Sequence, residues 1–121
     1  MARIRSRDTG PERIVRGLLR SMGIAHRMHR ADLPGRPDFA VASRRTCVFV
    51  HGCFWHGHIC RNGRLPRTRR AWWKAKIETN RRRDRRAARA LRRMGWSVVT
   101  VWECSTKDKD RLGRRLRRVL A

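Results

Sequence analysis

The chain has 121 residues, room for one domain with a modest core and too few for two. Lysine and arginine total 33 against 9 acidic residues, a formal net charge of +24, so the compact chain repels itself unless a polyanion stands near. Its hydrophobic residues and five tryptophans sit in periodic segments, which excludes a disordered basic tail. No apolar run approaches the roughly 20 residues of a membrane span, and the N-terminus lacks the apolar core of a secretory signal. Four cysteines without such a signal point to a reducing compartment, the cytoplasm, and to metal ligation rather than disulfides.

Residues 8–23 are predicted as a first helix. Thr9 caps it, with Glu12 completing a capping box, while Ile14, Val15, Leu18, Leu19 and Met22 recur on one face and Gly23 supplies a stop. Residues 24–28 alternate like a half-buried strand. Leu33-Pro34-Gly35-Arg36-Pro37 is a turn, since the residue before each proline is pushed out of helical geometry. Two apolar runs, 38–42 and 46–50, joined by Ser43-Arg44-Arg45, are expected to form a β-hairpin inside the core. Residues 51–65 are loop. Residues 66–94 are largely helical, with Trp72, Trp73, Ile77, Ala87, Ala88, Leu91 and Met94 as candidate buried positions and Gly95 as the stop. A buried strand over 96–102 and a short basic helix over 108–120 complete the chain. The order α-β-β-β-α-β-α predicts an α/β fold, a mixed sheet covered by helices.

The long helix carries Arg81, Arg82, Arg83, Arg85, Arg86, Arg89, Arg92 and Arg93, offset nearby only by Asp84 and Glu78. Like charges at i,i+4 weaken such a helix in isolation. Phosphate neutralisation removes the penalty, so this segment is expected to contact nucleic acid.

Two thiols and two imidazoles fall within eight residues, Cys53-Phe54-Trp55-His56-Gly57-His58-Ile59-Cys60. Zn²⁺ prefers four N/S ligands in a tetrahedron, and close spacing lowers the entropy of closing the site. Cys53, Cys60 and one histidine supply three ligands; the fourth comes from a distance, either Cys104 past the last strand or Cys47 inside the hairpin. Strand-interior cysteines are usually small buried hydrophobes, which favours Cys104. A site filled by four protein ligands is structural and does not activate water.

Asp38 opens one strand, and the partner strand ends at Val50-His51. This is the layout in which a carboxylate and a backbone carbonyl hold a divalent metal against a scissile phosphate. The wider pattern is more specific. Leu33-Pro34-Gly35-Arg36-Pro37-Asp38-Phe39, His51-Gly52-Cys53-Phe54-Trp55-His56, Arg83-Asp84-Arg85-Arg86, Gly95-Trp96 and Val101-Trp102-Glu103-Cys104 closely resemble, in order and spacing, the very short patch repair (Vsr) DNA mismatch endonucleases. The resemblance runs from about Arg7 to Cys104.

That resemblance implies a restriction-endonuclease-like fold and an enzyme that nicks one strand of duplex DNA beside a thymine mispaired with guanine, using magnesium. Carried over by position, Asp38 and the Val50 carbonyl bind the catalytic Mg²⁺, and His56 deprotonates or positions the attacking water. His51 lies in the same site, Asp84 orients a catalytic histidine, and Glu12 is a further acidic site residue. Cys53, His58, Cys60 and Cys104 match the zinc ligands. The chain departs from the family at Val50, where threonine is usual, and at Gly57 and Ile59, which interrupt a histidine run. Its segment before Arg7 is also short.

Phe54, Trp55 and Trp73, beside this basic site, are expected to wedge between base pairs, a step that costs a few kcal/mol and less at a weak T·G pair. Trp96 and Trp102 are assigned to the core; His26 and His29 receive no role. The expected partner is mismatched double-stranded DNA bound by a monomer near the bacterial nucleoid, with mismatch-repair proteins as candidate associates and no membrane. A non-catalytic, zinc-stapled nucleic-acid-binding module also suits the charge, zinc and aromatics. It gives no reason for Asp38, His51, His56 and Asp84 to accompany them.

Overall fold

A computed structural model describes residues 10–60 and 63–121. The first helix, α1, spans Gly10–Ser21 and turns Val15 and Leu19 fully inward. Gly23, at φ +67°, ends it in the left-handed conformation that glycine adopts without steric cost. Thr9, the expected cap, lies outside the described residues. The strand expected over 24–28 shrinks to β1, Arg27–Met28, paired antiparallel with β2, Phe39–Val41.

A 3-10 turn, Ala42–Arg44, then reverses the chain into β3, Thr46–His51, also antiparallel to β2. This is the expected hairpin, with β3 reaching His51. Parallel pairing with the next strand needs a long crossover, supplied by α2, Arg70–Arg93. Strand β4, Ser97–Trp102, follows and lies parallel to β3 in a four-stranded sheet of order β1-β2-β3-β4. A 3-10 segment, Glu103–Lys107, leads into α3, Lys109–Leu120, whose N-terminal Arg111 amide donates to the Asp108 carboxylate at 3.1 Å.

The period of two along each strand divides the core between the two faces. Phe39, Val41, Val48 and Val101 pack against Val15 and Leu19 of α1 and Leu112, Leu116 and Leu120 of α3. On the other face Ala40 and Cys47 pack with Leu33, Leu91 of α2 and Trp96. Cys47 is therefore a core residue, fully buried, and burial pushes its thiol up to about 11.

Three expectations change. The second helix begins at Arg70 rather than residue 66, after Arg69 in the left-handed region at φ +55°. Leu65, preceding Pro66, is already biased away from helical geometry. Trp72 and Met94 are 47% and 48% exposed, not buried, because the sheet covers only one stripe of α2; Ile77 and Leu91 are its buried residues. Finally, β4 is buried mainly at Val101, its other positions being partly or fully exposed. Among the described residues, no helix is long and apolar enough to cross a membrane.

The turn before β2 is locked against α2. Gly35 has φ +76°, and a Cβ there would lie 2.6 Å from the Ala87 Cβ and 3.3 Å from the Phe49 ring. Gly35→Ala should destabilise by roughly 2–4 kcal/mol, combining left-handed strain with overpacking. In an Ala87→Gly background the same change should cost measurably less, because the shortest clash is gone and only the backbone strain and the Phe49 contact remain. Denaturant unfolding of the four proteins in the double-mutant cycle checks this.

Candidate active site and metal centre

Parallel pairing sets His51 of β3 directly beside Trp102 of β4 at the carboxyl end of both strands. The segments that leave this end carry most of the functional candidates. A cleft of about 790 Å³ is lined by Glu12, His29, Arg36, Asp38, Val50, His51, Phe54, Trp55, His56, Arg83, Asp84 and Glu103, among others. It therefore brings together all five expected catalytic residues and Val50.

The cleft has two walls. On the first, the Val50 amide donates to the Asp38 carboxylate at 2.7 Å, and Glu12, 5% exposed at its side chain, stands beside it. Burial, above all, pushes the Asp38 carboxyl up to about 7; the neighbouring Glu12 carboxylate adds to the rise, and the Val50 amide opposes it. Two crowded carboxylates in a half-buried niche raise a pKa and favour a cation beside them. The site fits a divalent ion, with Asp38 and the adjacent Val50 backbone as its candidate holders.

On the second wall, His56 Nδ1 and Asp84 Oδ2 are 2.5 Å apart. The His51 and His56 rings stack in parallel, 3.9 Å between centroids, with His51 Nε2 4.0 Å from Asp84. Burial, helped by the neighbouring His56, lowers His51 to about 4, so it is neutral at pH 7. Its Nδ1 is buried with no hydrogen-bond partner. Asp84 accepting from Nδ1–H of His56 would leave Nε2 of that ring with its lone pair, the tautomer a base requires.

Beyond Trp102 lies the cysteine-rich centre. One ligand atom from each of Cys53, His58, Cys60 and Cys104 falls within 4.8 Å of the others, and none of the four cysteines of the chain is in a disulfide. Cys104 Sγ is 3.6 Å from His58 Nδ1. A tetrahedral zinc with bonds of about 2.3 Å to sulfur and 2.05 Å to nitrogen separates those atoms by about 3.6 Å. The Cys53 amide donates to Glu103 at 3.3 Å, tying the two loops together. Burial pushes the Cys53 thiol up to about 12, so its thiolate form calls for an adjacent cation.

Phe54, Trp55 and Trp73 form one aromatic cluster with centroids 5.1–5.8 Å apart, extended by Trp72 at 4.8 Å from Trp73. Trp55 is 37% exposed beside the cleft.

Three participants escaped the sequence reading. Trp102, assigned to the core, is half-buried and stacks on His58 at 4.2 Å while meeting His51 edge-on; its place next to Glu103-Cys104 was the available signal. Trp72 joins the aromatic cluster. His29, given no role, has Nε2 3.0 Å from Glu12 and 3.9 Å from Asp38. Nothing in its local sequence marks it, since Glu12 lies on another element.

The catalytic domain of a homing endonuclease superposes with a TM-score of 0.63 at 18% identity, covering 93% of this chain and 94% of that one. The likeness establishes a restriction-endonuclease-like fold.

Sequence comparison gives the family. A family model described as DNA mismatch endonuclease Vsr matches residues 1–62. The chain is 52% identical to a type II nicking enzyme, V.XorIIP, of Xanthomonas oryzae, over 99% of this chain and 88% of that protein. It is 45% identical to the DNA mismatch endonuclease Vsr of Escherichia coli, over 93% and 72% respectively. The chain belongs to the Vsr family of DNA mismatch endonucleases.

The two shifted groups oppose one another in pH-dependent stability. An unfolded Asp38 ionises near 3.9, so between there and about 7 the folded protein holds a proton the unfolded chain lacks. Its contribution therefore falls as pH rises through that range. His51, near 6.5 when unfolded and about 4 when folded, contributes stability that falls as pH drops from 6.5 to 4. In metal-free buffer Asp38→Asn should raise the unfolding midpoint above the parent's at pH 8 and lose that advantage by pH 4. An equal difference at both pH values would remove Asp38 as the source.

Proposed function

We propose that this protein nicks one strand of duplex DNA beside the thymine of a T·G mismatch, by magnesium-dependent phosphodiester hydrolysis, in the short-patch repair of deaminated 5-methylcytosine. The observation that carries the reading is the two-walled cleft, with a cation niche at Asp38 facing a carboxylate-oriented histidine at His56. Family membership and the names of the two relatives above support DNA mismatch nicking.

When bound at Asp38, magnesium would supply Lewis-acid charge to the scissile phosphate. The remaining work falls to the chain. His56 accepts the proton of the attacking water at Nε2, and Asp84 at its Nδ1 stabilises the imidazolium that forms. Neutral His51, stacked on His56, keeps a second positive charge out of the site and holds the ring in plane. Arg36 and Arg83 line the cleft as phosphate anchors. Phe54, Trp55 and Trp73 wedge at the mismatch, where a wobble pair is cheaper to unstack than a matched one. Cys53, His58, Cys60 and Cys104 hold a structural zinc that fastens the loop bearing His56 to the end of β4.

On end-labelled duplexes assayed with and without added magnesium, a single nick beside the mismatched thymine should form only when the ion is added and only in the mismatched substrate. Asp38→Asn should abolish nicking, and His56→Ala should slow it by about 10²–10⁴, the usual contribution of a positioned base, with binding to mismatched duplex retained by both. Tight binding without a cut in any sequence context would return the protein to the class of non-catalytic binding modules.

Zinc content provides a separate check. The purified protein should carry one zinc per chain; Cys104→Ser should lose it and unfold at markedly lower temperature, since structural zinc sites contribute on the order of 10 kcal/mol. An unchanged melting temperature after complete chelation would contradict a structural role.

A further inference from the structure

We propose that His29 is a nitrogen ligand of the catalytic cation site, and that it tunes the site toward manganese-like divalent ions over magnesium. The proposal rests on the reading of Asp38 as the cation-binding carboxylate and adds an imidazole to it.

Glu12, His29 and Asp38 form a compact donor set, one ligand atom of each within 4.8 Å of the others. A single ring nitrogen, His29 Nε2, addresses both carboxylates, 3.0 Å from Glu12 Oε2 and 3.9 Å from Asp38 Oδ1. Backbone geometry fixes the ring there. His29 follows β1, and its amide donates to the Asp38 carbonyl at 3.1 Å, so its position is tied to that of the carboxylate it faces. The side chains of Glu12, His29 and Asp38 are 5%, 17% and 16% exposed, half-sheltered in the cleft that also holds His51, His56 and Asp84.

Donor chemistry then discriminates between ions. Magnesium is hard, dehydrates reluctantly and takes oxygen donors almost exclusively. Manganese, the weakest binder of the first-row transition series, also prefers oxygen donors but accepts an imidazole beside carboxylates more readily than magnesium does. A Glu-His-Asp set therefore favours manganese over magnesium relative to the same site without its nitrogen. Replacing the imidazole by an amide of similar reach keeps a polar side chain against Glu12 but removes the ring nitrogen.

The test uses full-length, zinc-loaded protein and reads metal binding without catalysis. Manganese binding is followed by the loss of the free-ion electron paramagnetic resonance signal, and magnesium affinity by competition, for the parent, His29→Gln and Asp38→Asn. The expected result is one competitive site in the parent, lost in Asp38→Asn, and a manganese-to-magnesium affinity ratio that falls about tenfold in His29→Gln, the scale of changes around a metal centre. The ratio for nicking should shift the same way. A site lost in Asp38→Asn but with an unchanged ratio in His29→Gln overturns the role of His29 and leaves the nuclease reading intact. A manganese site that persists in Asp38→Asn overturns both, because the cation then lies elsewhere. Circular dichroism and zinc content of His29→Gln separate a lost ligand from a lost fold.

Discussion

The parallel pairing of β3 with β4 is the constraint on which the site depends. Register places His51 against Trp102, and both strands release their chains at the same end. One chain continues into the loop carrying Cys53, His56, His58 and Cys60, the other into the 3-10 segment carrying Glu103 and Cys104. Without that register, neither the four-residue metal cluster nor the histidine pair closes. The amide-to-carboxylate bond from Cys53 to Glu103 holds the two exits together, and Trp102 stands between the two centres with one ring in contact with each.

The hairpin and α2 complete the cleft from opposite sides. The β2–β3 register brings Asp38 back to Val50, while α2, packed over the other face, delivers Asp84 to His56. Gly35 lets the preceding turn approach Ala87 of the same helix. Thus Asp38 and Asp84, 46 positions apart in the chain, line one cleft. The clustered aromatics are drawn from the same two suppliers, Phe54 and Trp55 from the cysteine-rich loop and Trp72 and Trp73 from the start of α2.

Charge explains why so much of this machinery stands at the surface. With +24 on 121 residues, the arginines of α2 find, among the described residues, an ion-pair partner at Glu78, which Arg82 and Arg85 approach. A helix carrying so many like charges is stabilised by burial along one narrow stripe, Ile77 and Leu91, and is completed by a polyanion. Trp72 fits that picture, capped by the Arg69 guanidinium at 4.7 Å on an exposed face rather than buried in a core.

The sequence by itself determined the element order, the hairpin, the Cys/His clustering and the basic character, because each depends on local periodicity, turn chemistry or composition. Cys53, His58 and Cys60 are legible for the same reason, being neighbours in one loop. The assignments of His56 and Asp84 to one site with Asp38, and the settling of Cys104 as fourth zinc ligand, came from motif resemblance, since no local rule connects residues dozens of positions apart. Strand position already favoured Cys47 as the buried cysteine, and the tertiary structure gives its direction, from β3 toward Leu91 and Trp96. It also decided that Trp102 leaves the core for the site and that His29 meets Glu12 and Asp38. Those outcomes follow from strand register and helix docking, which pair residues by position in space, and spacing along the chain carries no record of either.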